Sequence, residues 1–247
     1  MPQNVQNELQ FFSKLSREPI YDRRLAERVI FLAGLKPNSL ILDAGCGEGY
    51  WGRAFANSGH QVVGIDLSSK VISRAAEKAV PGQSFLVGNL SEKLPFTHRS
   101  FDAIFFGWVL HHFPKGGDID KVIKNVSILL KKGGKLALIE PNGSNPIVSL
   151  SRKTGRFLVG LYPDIATENE TMHTVKTYIN ILKENDFEIQ AVESCRHVVG
   201  RVKKIHNLLD LLFFLRFCLL DLVWKYFPQP HRGNEVIIIA QLKSKNE

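Results

Sequence analysis

The residues best suited to chemistry form a glycine-rich turn between a short apolar segment and a helical one. Asp43 ends the apolar segment. Three glycines follow at alternate positions, Gly45, Gly47 and Gly49. A second acid, Asp66, ends the next apolar segment. Because glycine lets a ligand come close to the backbone and a carboxylate can accept both hydroxyl hydrogens of a ribose, the pattern predicts a nucleoside-binding turn.

The spacing and charge of this turn indicate which nucleoside it would bind. The glycines follow GxGxG rather than the GxGxxG of dinucleotide-binding turns, which bring a pyrophosphate to a helix N-terminus. Asp43 would repel a phosphate but attract the ammonium group of an amino acid. S-adenosylmethionine carries a ribose and an ammonium group and no phosphate, so it is the cofactor that we expect.

Strand patterns and helix patterns alternate along the chain around this turn. The predicted strands are residues 39–43, 61–66, 84–87, 101–106, 135–140, 187–193 and 234–242. The predicted helices are residues 4–35, divided at Pro19, and residues 50–58, 68–78, 120–130, 174–185 and 201–228. Either Ser68 or Ser69 is expected to cap the helix over 68–78, and Gly133 and Gly134 to stop the helix over 120–130. Such alternation is typical of a largely parallel sheet with helices on both faces.

The whole chain, residues 1–247, is predicted to be one α/β domain. Residues 1–37 would form N-terminal helices, and residues 38–141 the cofactor-binding core. Two segments do not fit the simple alternation, residues 142–173 and the apolar, aromatic-rich residues 201–228. Both are predicted to be substrate-specific insertions that form a lid.

The order of these segments resembles that of the class I S-adenosylmethionine-dependent methyltransferases. The matching motifs are ILDAGCGEGYWG, VVGIDLS, GNLSEKLPF, FDAIFFGWVLHHF and LLKKGGKLALIEPN. The resemblance covers residues 38–142 and the terminal strands, and it is closest to the subgroup that methylates quinones, lipids, sugars and other small acceptors. It implies a Rossmann-like, doubly wound, seven-stranded, mostly parallel sheet with an antiparallel last strand. The implied activity is methyl transfer to a small-molecule or lipid-like acceptor at oxygen, nitrogen or carbon.

The resemblance also implies which residues hold the methionine and ribose parts of the cofactor. Asp43 would bind the methionine part through water or an ammonium hydrogen bond, and Asp66 would hold the ribose. The backbone of the glycine turn would line the cofactor, a role that falls to Gly45, Cys46 and Gly47. A nucleophilic role for Cys46 is the less favoured alternative, because small residues in such turns act as spacers.

Four further residues correspond to the adenine side and to the end of the fourth strand. Leu67 would pack on the adenine, and Leu90 would supply a backbone amide to an adenine nitrogen. Asn89 stands where the family often has Asp, and an amide oxygen can accept the same hydrogen bond from the adenine amine. Phe106 stands where the family commonly has a small or polar residue near the methionine, which alters the expected shape of the pocket.

Three residues after the fourth and fifth strands are candidates for catalysis. His111 or His112 could take a proton from the acceptor, or could bond only to the backbone. Glu140 could orient the acceptor or accept a proton, or could cap the loop over residues 141–143. Because methyl transfer from a sulfonium can rely on alignment alone, no single catalytic residue is required. The histidines and acids do not cluster at ligand spacing, so no metal is expected.

The charge of the chain gives an indication of its partners. Lys and Arg number 32 against 24 Asp and Glu, a formal net charge of +8. Much of this excess lies in residues 196–232, where seven basic residues stand against Asp210 and Asp221. The charges make a membrane span over 201–228 unfavourable, whereas an apolar face with basic flanks suits a membrane interface, a pocket roof or a dimer contact. The expected partner is a small or lipid-like acceptor, anionic ones included, and the oligomeric state stays open.

Location and rival functions complete the expectations. Three scattered cysteines and the lack of an apolar leader in the N-terminal residues indicate a reducing, cytoplasmic location, with peripheral contact at the inner membrane surface as an extension of it. One alternative acceptor is RNA, although no RNA-binding module and no N/D-P-P-Y/F motif after the fourth strand is present. The other alternative is a non-catalytic scaffold or sensor that binds the cofactor.

Overall fold

The structure, a computed structural model, alternates strands and helices around one sheet. It describes residues 23–113, 117–145, 171–195, 233 and 235–243. The strands are β1 (Leu40–Ala44), β2 (Gln61–Asp66), β3 (Gln83–Val87), β4 (Phe101–Gly107), β5 (Leu130–Pro141), β6 (Phe187–Cys195) and β7 (Glu235–Leu242). The helices are α1 (Arg23–Ala33), α2 (Tyr50–Asn57), α3 (Ser69–Glu77), α4 (Gly117–Ser127) and α5 (Val175–Glu184), with a short 3-10 helix over Leu110–His112.

The sheet has the predicted topology. Its seven strands lie in the order β3-β2-β1-β4-β5-β7-β6. The pairs β1–β2, β1–β4, β2–β3 and β4–β5 are parallel, and β7 pairs antiparallel with both β5 and β6. The expected Rossmann-like, mostly parallel sheet with an antiparallel last strand is therefore confirmed.

The core lies on both faces of the sheet because strand side chains alternate between them. In β4, Ile104 and Phe106 face one hydrophobic cluster, which includes buried residues of α4 and α5. Ala103 and Phe105 face a second cluster, which includes buried residues of α1 and α2. Continuous apolar strands such as β4 and β7 are those that helices cover on both sides.

Helix ends agree with the sequence at one expected boundary and disagree at another. The Ser68 hydroxyl accepts a hydrogen bond from the Val71 amide at 3.3 Å and caps α3, as one of the two expected serines should. The prediction that Gly133 and Gly134 stop a helix is wrong, because α4 ends at Ser127 and the two glycines lie inside β5. Gly133 has φ +74°, and the register of β4 against β5 shifts between Phe101 and Ala103. The glycines therefore lie at an irregularity in the strand, where glycine is common in sheets.

Several expected features fall outside the described residues. They are the first part of the helix over 4–35, most of the segment over 142–173 and the helix over 201–228. Among the residues that the structure does describe, no helix is long and apolar enough to cross a membrane.

Gly107, the last residue of β4, offers a test of the packing at this end of the sheet. A Cβ atom there would lie 2.5 Å from Cδ1 and Nε1 of Trp51. We expect Gly107→Ala to lower the free energy of unfolding in urea by about 2 kcal/mol, the usual cost of overpacking. In a Trp51→Leu background the two shortest contacts disappear and only the contact with Cε1 of Phe105 at 2.7 Å remains, so the same substitution should cost less. Equal losses in the two backgrounds would contradict the contact.

Candidate functional site

The predicted site residues lie at the carboxyl ends of the parallel strands. Asp43 lies near the end of β1, Asp66 ends β2, and Glu140 lies near the end of β5. The strands β2, β1, β4 and β5 are neighbours in the sheet. The structure therefore brings these acids to one edge, where open α/β sheets bind their ligands.

The glycine turn between β1 and α2 is held by backbone hydrogen bonds. The Gly45 and Cys46 amides donate to the Ile65 carbonyl at 2.8 and 2.9 Å. Gly45 and Gly47 have φ of +76° and +52°, which glycine adopts without steric cost. A Cβ atom at Gly45 would lie 2.7 Å from Val109, whereas one at Gly47 would meet no atom within 4 Å. The turn therefore packs against the residues after β4 and leaves open space at Gly47.

Asp43 is a buried carboxylate in which only one of the two oxygens is hydrogen-bonded. It is 1% exposed, and its Oδ2 accepts a hydrogen bond from the Gly52 amide at 3.0 Å. Its Oδ1 is buried and has no hydrogen-bond partner. Burial, partly offset by the Gly52 hydrogen bond and reinforced by the charge of Asp66, raises the pKa of Asp43 to about 7. A cation beside Oδ1 would stabilise the ionised form.

Asp66 connects the glycine turn to the start of α3. Its Oδ2 accepts a hydrogen bond from the Gly47 amide, and its Oδ1 accepts one from the Ser68 amide, both at 3.0 Å. Burial raises the pKa of Asp66 above its ordinary value, although these backbone hydrogen bonds oppose the shift. A carboxylate has about four acceptor positions, so Asp66 keeps acceptor capacity for a ribose hydroxyl beside its backbone donors Gly47, Ser68 and Leu67.

The thiol of Cys46 is poorly placed for nucleophilic chemistry. The side chain is buried, and its sulfur lies 2.9 Å from the position that a Cβ on Gly64 would occupy. Burial, together with the charges of Asp43 and Asp66, raises the pKa of Cys46 well above its ordinary value. Because the thiolate is the nucleophilic form, this environment favours the spacer role.

The residues expected on the adenine side occupy turns after β2 and β3. Leu67 is half-buried and follows Asp66 directly. The Asn89 side chain closes its own turn, with Oδ1 accepting from the Ser91 amide at 3.0 Å and Nδ2 donating to Glu92 at 2.9 Å. An amide oxygen has two lone pairs, so one of them remains for an adenine amine.

Two other expected cofactor residues have their side chains in the core. Leu90 is buried in the cluster that packs on α4 and α5, and its carbonyl accepts a hydrogen bond from Asn125 at 3.0 Å. Phe106 is 0% exposed and belongs to the same cluster. Contact of either residue with a cofactor would therefore run through its backbone, and both assignments stay predictions.

Glu140 fixes the chain that follows β4. The side chain is 0% exposed, and its Oε1 accepts hydrogen bonds from the Val109 and Leu110 amides at 2.8 and 2.7 Å. Its Oε2 lies 2.8 Å from Nδ1 of His111. The alternative that Glu140 caps the loop over 141–143 is wrong. It caps the 3-10 helix instead, because β4 and β5 are paired and bring the two segments together.

The two histidines after β4 differ in their surroundings. His111 is 6% exposed, and because a carboxylate accepts at Nδ1, that nitrogen carries the hydrogen and Nε2 keeps its lone pair. The rings of His111 and His112 lie 4.0 Å apart. Burial, with a smaller effect from His111, holds the pKa of His112 well below its ordinary value. The Glu140 carboxylate therefore sets the tautomer of His111.

The described residues that flank residues 146–170 and 196–232 lie at this same edge of the sheet. Asn142 and Asn145 both donate from Nδ2 to the Gly233 carbonyl, at 2.9 and 3.2 Å. On the other flank, the Thr171 amide donates to the His111 carbonyl at 2.7 Å. Cys195, at the end of β6, pairs with the first residue of β7. Thr171 is thus bound to the 3-10 helix, and the other flanking residues are held to one another at the ends of β5, β6 and β7.

Sequence reasoning did not single out Glu48, whose carboxylate binds residues on and after α3. Arg74 Nε and Lys78 Nζ each lie 2.8 Å from it. Both bases stand four residues apart, a spacing that places side chains on one helix face. That spacing is the only feature of the sequence that indicates the contact with Glu48.

Within the part of the chain that is described, no group of His, Cys, Asp and Glu could hold a metal ion.

Comparison with known proteins finds a family model and several relatives that match part of this chain. Residues 42–138 match the family described as a methyltransferase domain. Over 104 residues the chain is 33% identical to the uncharacterized methyltransferase YcgJ of Bacillus subtilis, a match that covers 40% of each chain. Over 113 residues it is 35% identical to a demethylmenaquinone methyltransferase of Bacillus cereus, covering 43% of this chain and 46% of that one. The aligned region is thus under half of the length of these two relatives.

A solved structure matches over a longer stretch. A SAM-dependent methyltransferase of Methanosarcina mazei superposes with a TM-score of 0.60 at 25% identity. The match covers 94% of this chain and 100% of that chain. The similarity therefore extends beyond the sequence motifs to the arrangement of the whole sheet.

Proposed function

We propose that this protein, whose residues 42–138 match the family described as a methyltransferase domain, transfers a methyl group from S-adenosylmethionine to a small-molecule or lipid-like acceptor. The observation that carries the proposal is the buried Oδ1 of Asp43, which has no hydrogen-bond partner. A buried, unpaired carboxylate oxygen is costly. The ammonium group of the cofactor would remove that cost.

The residues around Asp43 fit the rest of the cofactor. The open space at Gly47 would let the methionine part approach the turn. The acceptor capacity that Asp66 keeps suits a ribose hydroxyl. The turn does not suit a phosphate, because the Asp43 carboxylate would repel it. The adenine part would contact the residues that the sequence assigns to it, Leu67, Asn89 and Leu90.

Alignment would supply most of the rate of such a reaction. When bound, S-adenosylmethionine supplies a methyl group on a positively charged sulfur, which keeps the electron pair of the breaking carbon–sulfur bond as the acceptor atom bonds to the carbon. The residues of this chain would hold the acceptor in line with that group and exclude water. Val109 packs against Gly45, so the turn that carries His111 lies next to the cofactor turn.

His111 is the residue best suited to receive a proton from the acceptor. Its Nδ1 hydrogen is committed to Glu140, which leaves Nε2 as an acceptor. An oxygen or nitrogen acceptor that loses a proton on methylation could pass it to Nε2. In this proposal Glu140 orients His111 and does not touch the acceptor. His112 is the second candidate, and its low pKa keeps its ring neutral.

Three observations favour a small or lipid-like acceptor. The described residues that flank the segments over 142–173 and 201–228 lie at the site edge. The second of these segments is apolar, and the surrounding residues are basic, which suits an anionic or lipid-like molecule or peripheral contact with an inner membrane surface. A relative of partial coverage is named for demethylmenaquinone, a lipid-soluble quinone. RNA and a non-catalytic scaffold role remain the rival functions.

A labelled-methyl assay separates these functions. The protein is incubated with methyl-labelled S-adenosylmethionine and a cell extract, which is then divided into lipid, RNA, protein and small-molecule fractions. We expect label in the lipid or small-molecule fraction, and none with the matched variant Asp66→Ala. Label in RNA would replace the proposed acceptor class. Cofactor binding without label in any fraction would favour the scaffold role.

A further inference from the structure

Glu48 occupies an unusual place for a charged residue, between two glycines of the cofactor turn. The residue is only 6% exposed. Gly47 and Gly49 on either side have φ of +52° and +73°. Because glycine is conformationally permissive, two glycines that flank one residue give the turn much conformational freedom. A group that restrains Glu48 therefore restrains the whole turn.

Three side chains surround the Glu48 carboxylate. Arg74 Nε donates to Oε1 at 2.8 Å, and Lys78 Nζ donates to Oε2 at 2.8 Å. The Tyr50 hydroxyl donates to Oε2 at 3.0 Å. Although burial alone would raise it, the hydrogen bonds from Lys78, Tyr50 and Arg74 bring the pKa of Glu48 below its ordinary value. The carboxylate is therefore held in its ionised form.

The backbone of Glu48 is held as well. Arg53 donates to the Glu48 carbonyl at 2.9 Å, and its guanidinium lies 4.5 Å from the centre of the Tyr50 ring. Such a stacked cation adds to the restraint. Both the main chain and the side chain of this residue are thus bound to helices α2 and α3.

These contacts, together with those of Asp66, attach the glycine turn to the unit that β2 and α3 form. On one side, Asp66 binds the Gly47 amide and the Ser68 amide. On the other side, Glu48 binds Arg74 and Lys78. The turn is therefore attached to the β2–α3 unit at two points, through Asp66 and through Glu48.

We propose that Glu48 is a positioning residue that holds the glycine turn in its cofactor-binding shape through Arg74 and Lys78. The inference rests on the proposed function, since it concerns the same cofactor. Glu48 does not itself touch the cofactor. By restraining the turn before binding, it lowers the entropy that binding would otherwise lose.

Calorimetric titration with S-adenosylhomocysteine tests the role of Glu48. We expect Glu48→Gln to weaken binding about tenfold, the effect of losing charge-assisted hydrogen bonds of about 1.4 kcal/mol. Arg74→Gln should weaken binding in the same direction, whereas Arg74→Lys, which keeps the charge, should restore most of the affinity. Glu77→Gln, an exposed carboxylate on the same helix, is the matched control and should bind as the wild type does.

The double variant distinguishes positioning from a general loss of stability. If the two residues act through one contact, Glu48→Gln combined with Arg74→Gln should weaken binding no more than Glu48→Gln alone. Additive losses, or unchanged affinity in Glu48→Gln, would overturn the inference while leaving the cofactor assignment intact. Absence of binding by the wild type would remove both. If Glu48→Gln does not fold, the Arg74→Gln and Arg74→Lys pair gives the same decision.

Discussion

Replacement of Asp43 by Asn is expected to weaken S-adenosylhomocysteine binding about 100-fold, because truncating one partner of a buried charge pair costs about 2–5 kcal/mol. The variant keeps the acceptor for the Gly52 amide, so its thermal unfolding should stay cooperative. Isothermal calorimetry at pH 8 gives the affinity directly. Asp118→Asn, which alters an exposed carboxylate on α4, is the control. Near-equal affinities of the wild type and Asp43→Asn would contradict the assignment of Oδ1 to the ammonium group.

The pH dependence of the same two proteins gives an independent check. Burial raises the pKa of Asp43 to about 7, and the ammonium group prefers the ionised form. Wild-type affinity should therefore rise about tenfold per pH unit below 7 and level off above it. Asp43→Asn should lose this part of the slope. A slope that is identical in both proteins would assign the titration to another group.

The stability of the unliganded protein should change in the opposite sense. A carboxylate whose folded pKa is raised destabilises the folded state as it ionises, so its cost is absent at low pH and complete above about pH 7. Asp43→Asn should therefore be more stable than the wild type at pH 8, by about 1–3 kcal/mol. At pH 4 the difference should vanish. Asp43 would thus be a residue kept for binding at the expense of stability.

Glu140→Ala is expected to be the most destabilising substitution at the site. It would leave the Val109 and Leu110 amides and the His111 ring without their acceptor. Each unsatisfied buried donor costs about 1–3 kcal/mol, so we expect the free energy of unfolding in urea to fall by about 3 kcal/mol or more. Unchanged stability would contradict the capping role.

Glu140→Gln separates the capping role from the role in orienting His111. The glutamine keeps one oxygen for the two amides but presents an NH₂ group to His111. Nδ1 must then accept, so Nε2 would carry the hydrogen and could no longer receive a proton. We expect a smaller stability loss than in Glu140→Ala and a turnover reduced at least tenfold, within the range typical of general-base catalysis. Full labelled-methyl turnover in this variant would exclude His111 Nε2 as the proton acceptor.

The residues at the ends of β1 and β2 could be predicted from sequence because local patterns determine them. An apolar run ending in an acid and followed by alternating glycines defines both the strand and the turn, and parallel strands end at one edge. Asp43, Gly47 and Asp66 therefore lie at the predicted edge. The antiparallel β7 was foreseen through the family resemblance rather than through a pattern of its own.

The contacts of Glu140 and Glu48 could not be predicted in the same way. Glu140 binds amides about 30 residues earlier in the chain, and that contact exists only because β4 and β5 pair in one register. The carboxylate of Glu48 accepts a hydrogen bond from Arg74, which lies 26 residues later in the chain, after β2. The position of Gly133 and Gly134 inside β5 also depends on strand pairing, since a glycine pair after a helical pattern usually indicates a helix end.

The measurement that tests the central claim most directly is calorimetric titration of the wild type and of Asp66→Ala with S-adenosylhomocysteine. The geometry predicts saturable binding at one site in the wild type. It predicts a loss of at least tenfold in Asp66→Ala, because the ribose hydroxyls would lose their acceptors. No binding by the wild type, or equal binding by both proteins, would contradict the assignment of this strand edge to the cofactor.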